Sequence, residues 1–161
     1  MRICNIKISL LFKDELIQSE RSNEKKIWKE GYWTITQYLH SSRLINVTGL
    51  KSEFEINNVI EFLETKFSCK CIHSQIDSIM ISHKDFKRIK LNDVCLYLPN
   101  QYYVDYNPEL FTGMFLKSRD CNFPTINLFY TGSYQILALK SFEKMKTIIS
   151  MIQSIIEKCE V

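Results

Sequence analysis

Glycine and proline are scarce in this chain, four and three residues of 161, so a collagen-like or low-complexity chain is excluded. No apolar run approaches the roughly 18 residues of a membrane-spanning helix, and Met1 to Phe12 alternates apolar with polar residues instead of forming a signal-peptide core. The expectation is an intracellular protein. An excess of one charge is also missing: 21 Lys and Arg against 18 Asp and Glu leave +3, so a nucleic-acid partner has to be sought in a local surface. The six cysteines (Cys4, Cys69, Cys71, Cys95, Cys121, Cys159) contain no CxxC pair. That spacing speaks against a zinc or disulfide framework and for small buried hydrophobes. His40, His73 and His83 lack metal-ligand spacing, no Gly-rich phosphate loop follows a strand, and there is no nucleophile elbow. Asp14-Glu15 reads as a solvated face. A non-enzyme without metal, cofactor or small-molecule substrate is expected.

What is present is 45% hydrophobic residues, enough for one core in a domain of this length. Their periodicity gives the same order of elements twice. Ile3 to Leu10 alternates, with Cys4, Ile6, Ile8 and Leu10 on one face and Ile3, Asn5, Lys7 and Ser9 on the other; Ile79 and Ile81 alternate with Ser78, Met80 and Ser82. Thr34 to His40 and Leu44 to Thr48 read as a hairpin, as do Pro124 to Tyr130 and Ser133 to Leu139. Amphipathic helices follow, from Lys51 to about Lys66 and from Lys140 to about Lys158. The junction from His40 to Lys51 matches that from Phe129 to Lys140, an internal repeat of period about 89 residues.

The residues Tyr106-Asn-Pro-Glu-Leu-Phe-Thr-Gly113, then Ile126-Asn-Leu-Phe-Tyr-Thr-Gly132 and the Lys140 helix, resemble the second repeat of the TATA-box-binding protein family. Ile3-Cys-Asn-Ile6, Ser41-Ser42 and Val47-Thr-Gly-Leu-Lys51 resemble its first repeat, with a shortened stretch between Phe12 and Tyr32. The resemblance implies an α+β saddle with a pseudo-twofold repeat, a curved antiparallel sheet and helices on the convex face. Residues 1–70 would form the first repeat and 71–161 the second, together one saddle domain. It further implies double-stranded AT-rich DNA held in the minor groove, where width and deformability are read and apolar wedges unstack base steps.

Residue by residue, the resemblance places the wedge pair on Phe111 and Phe129 and a first-repeat wedge on His40. Alternation supports Phe129, because Ile126, Leu128 and Tyr130 form the core-like face and leave Asn127 and Phe129 on the other. The other first-repeat wedge has no clear counterpart; Trp28 and Trp33 are possible substitutes and are as well read as core or surface residues. Asn5 and Ser78 fall on the central base-contacting positions, Thr48 keeps its type on the concave face, and Lys7 lies on that face together with Met80, Asn46, Gln135 and Leu137. Lys51, Lys117 and Lys140 match phosphate-contacting positions. Glu109 matches an acid that meets transcription factor IIB, and Asn107 replaces a second acid, so the implied protein partners are RNA polymerase or a factor IIB-like protein.

Two functions follow from these residues. One is a transcription initiation factor that bends promoter DNA; the other is a saddle-fold interaction subunit that has lost sequence-specific DNA binding, suggested by the polar groove-face positions. Exposure of Phe111 and Phe129 separates them: burial of both would remove the wedge. Richness in Ile, Lys and Asn points to an AT-rich genome such as a large DNA virus, with the nucleus or a viral factory as location.

Overall fold

Period-two alternation builds the first strand, β1 (Arg2–Phe12), in which Ile6, Ile8, Leu10 and Phe12 are buried and Asn5, Lys7 and Ser9 are half-buried on the opposite face. In this computed structural model, residues 1–16, 25–38 and 43–161 are described. After β1 come β2 (Lys25–Glu30), β3 (Trp33–Tyr38), β4 (Leu44–Leu50), α1 (Phe54–Phe67) and β5 (Cys71–His83). A 3-10 turn (Leu91–Asp93) runs into the short α2 (Val94–Tyr97), followed by β6 (Tyr102–Asp105), β7 (Met114–Ser118), β8 (Thr125–Leu128), β9 (Tyr134–Leu139) and α3 (Phe142–Cys159). Two units result, Cys4–Asp77 and Met1–Ile3 with Ser78–Val161.

Within Cys4–Asp77 the strands lie in the order β2, β3, β4, β1, all neighbours antiparallel. Helix α1 covers one face, burying Val59 and Leu63. Its Phe67 meets Phe12 and Trp28 edge-on at 6.2 and 6.4 Å, and its Phe62 meets Trp33 at 6.5 Å. Both tryptophans therefore pack under the helix, which removes them as substitute wedges. Within Ser78–Val161 the order is β5, β9, β8, β7, β6, again antiparallel. Helix α3 buries Ile148, Ile152, Ile155 and Ile156. Each isoleucine removed from water contributes on the order of 2 kcal/mol, so the stripe holds the helix down.

Both helices begin later than the hydrophobic stripe suggested. Glu55 reaches back to the amides of Lys51 and Ser52, and Ser141 Oγ accepts from the Glu143 amide at 3.1 Å. Lys51 and Lys140 thus precede the first turns instead of starting them. The cysteines also differ from expectation. Only Cys159 is buried; Cys4, Cys69 and Cys71 are half-buried and Cys95 and Cys121 exposed.

The two units share a ladder defect. Register slips between Ile6 and Ile8 against β4, and between Ile79 and Ile81 against β9. The residues that absorb the slip, Gly49 and Ala138, both have left-handed backbone, φ +98° and +60°. An alanine there is strained, so Ala138→Gly is expected to raise stability by about 0.5 kcal/mol, the relief exceeding the glycine's extra unfolded-state entropy. A urea midpoint that stays or falls would show that Ala138 holds this conformation without strain.

Candidate nucleic-acid interface

In the Ser78–Val161 unit, Met114 and Leu116 of β7 point to the core, leaving Phe115 and Lys117 on the other face. Ladder pairs Asp105–Phe115, Phe115–Asn127 and Asn127–Gln135 run across that face beside Tyr103–Lys117 and Thr125–Leu137. The face away from it carries Tyr134, which lines a cavity with Gln153 and Ile156 of α3. The strand face bearing Phe115 is therefore the open one.

Phe111 reaches this face from a loop that Asn107 organises. The Asn107 Oδ1 accepts from the Glu109 amide at 3.2 Å, and its carbonyl accepts from the amides of Leu110 and Phe111 at 3.1 and 3.0 Å. Asn107 is thus a turn-former, while Glu109 and Leu110 project into solvent. Phe111 stacks on Phe115 with centroids 5.1 Å apart and planes at 18°, and meets Phe129 edge-on at 5.9 Å. Phe111 is 40% exposed, and Phe115 and Phe129 are half-buried. Neither expected wedge is lost in the core. Phe115 is a third ring that the sequence reading missed, because Met114-Phe115-Leu116 is a continuous apolar run with no polar alternation to mark its open side.

Two side chains depart from the expected faces. Tyr130, read as core-like, is exposed, because β8 ends at Leu128 and the Phe129–Ser133 turn swings it out. Asn127 lies on the open face by register yet is 4% exposed, its amide oxygen packed on Gly113 and without a hydrogen-bond partner. Lys117 hydrogen-bonds Asp105 Oδ2 at 2.6 Å, and its ammonium sits 5.6 Å over the Phe115 ring. The Asp105 contact holds the Lys117 pKa above the ordinary lysine value. Lys140 is exposed beyond the end of β9.

The open face of Cys4–Asp77 is polar. It carries Asn5, Lys7 and Ser9 of β1, Asn46 and Thr48 of β4, Thr34, Thr36 and Tyr38 of β3, and Lys25, Ile27 and Lys29 of β2. Ser9 Oγ lies 2.6 Å from Asp77 Oδ2 and 2.9 Å from Asn46 Oδ1, and Asn46 Nδ2 donates to the Tyr38 hydroxyl at 3.0 Å. Asn5 Oδ1 accepts from the Gly49 amide at 2.7 Å, which satisfies the bulge. Lys51 Nζ is bound to the Cys4 carbonyl. Ser78, the position matching Asn5, is half-buried on β5. His40 lies outside the described residues.

Two like-built units, each an antiparallel sheet with a helix on one face and the other face open, define an α+β protein built from a structural repeat. A Methanococcus jannaschii TBP shares this fold, with a TM-score of 0.71 over 97% of each chain at 20% identity. The family described as "Transcription factor TFIID (or TATA-binding protein, TBP)" matches residues 73–159, more than half of the chain. The chain belongs to the TATA-binding protein family. Its members are DNA-binding transcription factors, not enzymes, and the α+β TBP-like fold expected from the sequence is the one found. No curated protein matches by sequence. The family match takes in the second-repeat motifs, from Tyr106 to Gly132 and the helix after Lys140.

Proposed function

We propose that this chain is a transcription initiation factor that holds AT-rich promoter DNA by its minor groove and bends it. The observation that carries this reading is the solvent-reachable aromatic cluster: exposed Phe111 and half-buried Phe129, backed by Phe115, on a strand face that carries lysine. The two phenylalanines enter one base step and unstack it, which favours sequences that kink at low cost. In this reading residues 1–70 and 71–161 act as the two repeats. Asn5, Ser78 and Thr48 address base and sugar edges, and Lys7, Lys51, Lys117 and Lys140 address phosphates. Glu109, exposed on the loop that delivers Phe111, offers an acid to a factor IIB-like protein or polymerase.

Binding to a bendable AT-rich duplex, a stiff A-tract and a GC duplex over a salt series tests it. Wild type is expected to prefer the bendable duplex, and Phe111→Ala/Phe129→Ala to lose about tenfold on that duplex while the salt slope holds. Equal weak binding of every duplex by both proteins would instead favour the protein-interaction subunit, to which the hydrogen-bonded Ser9, Asn46 and Asp77 on or beside the open face of Cys4–Asp77 are suited.

A further inference from the structure

We infer that Asp105 restrains Lys117 from the DNA backbone, damping this protein's hold on duplexes it does not bend. The inference rests on the DNA-binding reading above. Asp105 is the cross-strand partner of Phe115, and Lys117 lies two residues further along the same face of β7. The ammonium has a carboxylate oxygen at 2.6 Å and the Phe115 ring beneath it. A phosphate that approaches Lys117 meets an anion already in place. It must displace that carboxylate or accept its repulsion, so the lysine gives less than a full counterion's release.

The position of the pair matters more than its strength. Both side chains remain partly exposed, 36% for Lys117 and 54% for Asp105, so the pair contributes little to folding. It stands beside the ring that backs the wedge. Sequence-independent phosphate attraction strengthens binding to every duplex alike, and subtracting it at this point raises the share of binding that depends on the wedge entering a kinked step. Asp105 is a positioning residue that acts through Lys117 and sharpens discrimination.

The test compares wild type, Asp105→Asn, Asp105→Asn/Lys117→Met and Glu157→Gln on the bendable and A-tract duplexes across a salt series. Glu157→Gln removes an equal charge from the exposed side of α3 and controls for net charge. Asp105→Asn is expected to bind the A-tract about fivefold more tightly at 0.1 M salt, with a log–log salt slope steeper by about 0.9. Its preference for the bendable duplex should shrink, and the double variant should return to the wild-type slope. If Asp105→Asn matches Glu157→Gln in affinity and slope, the restraint is overturned and the DNA-binding reading stands. If no variant binds any duplex, both fall.

Discussion

Gly49→Ala is expected to destabilise the protein by about 3 kcal/mol, measured as the loss of unfolding free energy in urea. Gly49 holds φ +98°, beyond the left-handed well that a residue with a Cβ can occupy at modest cost. A Cβ there would sit well inside contact distance of the Tyr32 carbonyl oxygen and 3.4 Å from Trp33 Cα. Both obstacles are backbone, where the turn after β2 enters β3, so neither yields by a rotamer change. Relief requires moving that turn, and with it Trp33 from its place against Phe62. The Gly49 amide would also leave Asn5 Oδ1 and lose the bond that closes the bulge. Ala138 occupies the matching bulge at φ +60°, where alanine is strained but tolerated, so repeat symmetry alone does not make the exchange harmless. A loss under about 1 kcal/mol would mean that the hairpin turn shifts freely.

Elements whose two faces differ in polarity were legible from the residues alone: β1, the β8–β9 hairpin and α3 stand where alternation or the helical stripe placed them, apart from their ends. The edge strand β2 and the inner strand β7 were not. In β2 the open face carries Lys25, Ile27 and Lys29 while Trp28 turns to α1, so the exposed isoleucine breaks the pattern by which a strand is recognised. In β7, Met114-Phe115-Leu116 is a continuous apolar run, and which ring is open depends on the register with β8. The Asp105–Lys117 contact is of the same kind: twelve residues separate the partners, and only the β6–β7 ladder brings them together. Asn107 illustrates the opposite error. Matching it to a missing acid overlooked its local chemistry, an asparagine that folds its own loop and thereby aims Phe111.

The other large effect concerns DNA discrimination, and it turns on the glycine that follows this loop. Gly113 is buried between the groups that form the aromatic cluster. A Cβ on it would collide with Asn127 Oδ1 and would lie 2.6 Å from the Phe111 ring and 3.0 Å from that of Phe129. Its backbone lies outside the left-handed region, so alanine meets no conformational barrier and the cost falls on the side chains. Asn127 is buried and has little room, whereas Phe111 is the most exposed of the three rings, so Phe111 is the group that moves. Gly113→Ala is therefore expected to cost only about 1 kcal/mol in unfolding while lowering the preference for a bendable over a stiff duplex about tenfold, nearly as far as removing the rings. Denaturation and duplex competition on the same preparation separate the two effects. Adding Asn127→Ala relieves the closest collision and should recover part of the preference. If Gly113→Ala keeps the wild-type preference, the rings reseat without loss and the wedge does not depend on this close approach.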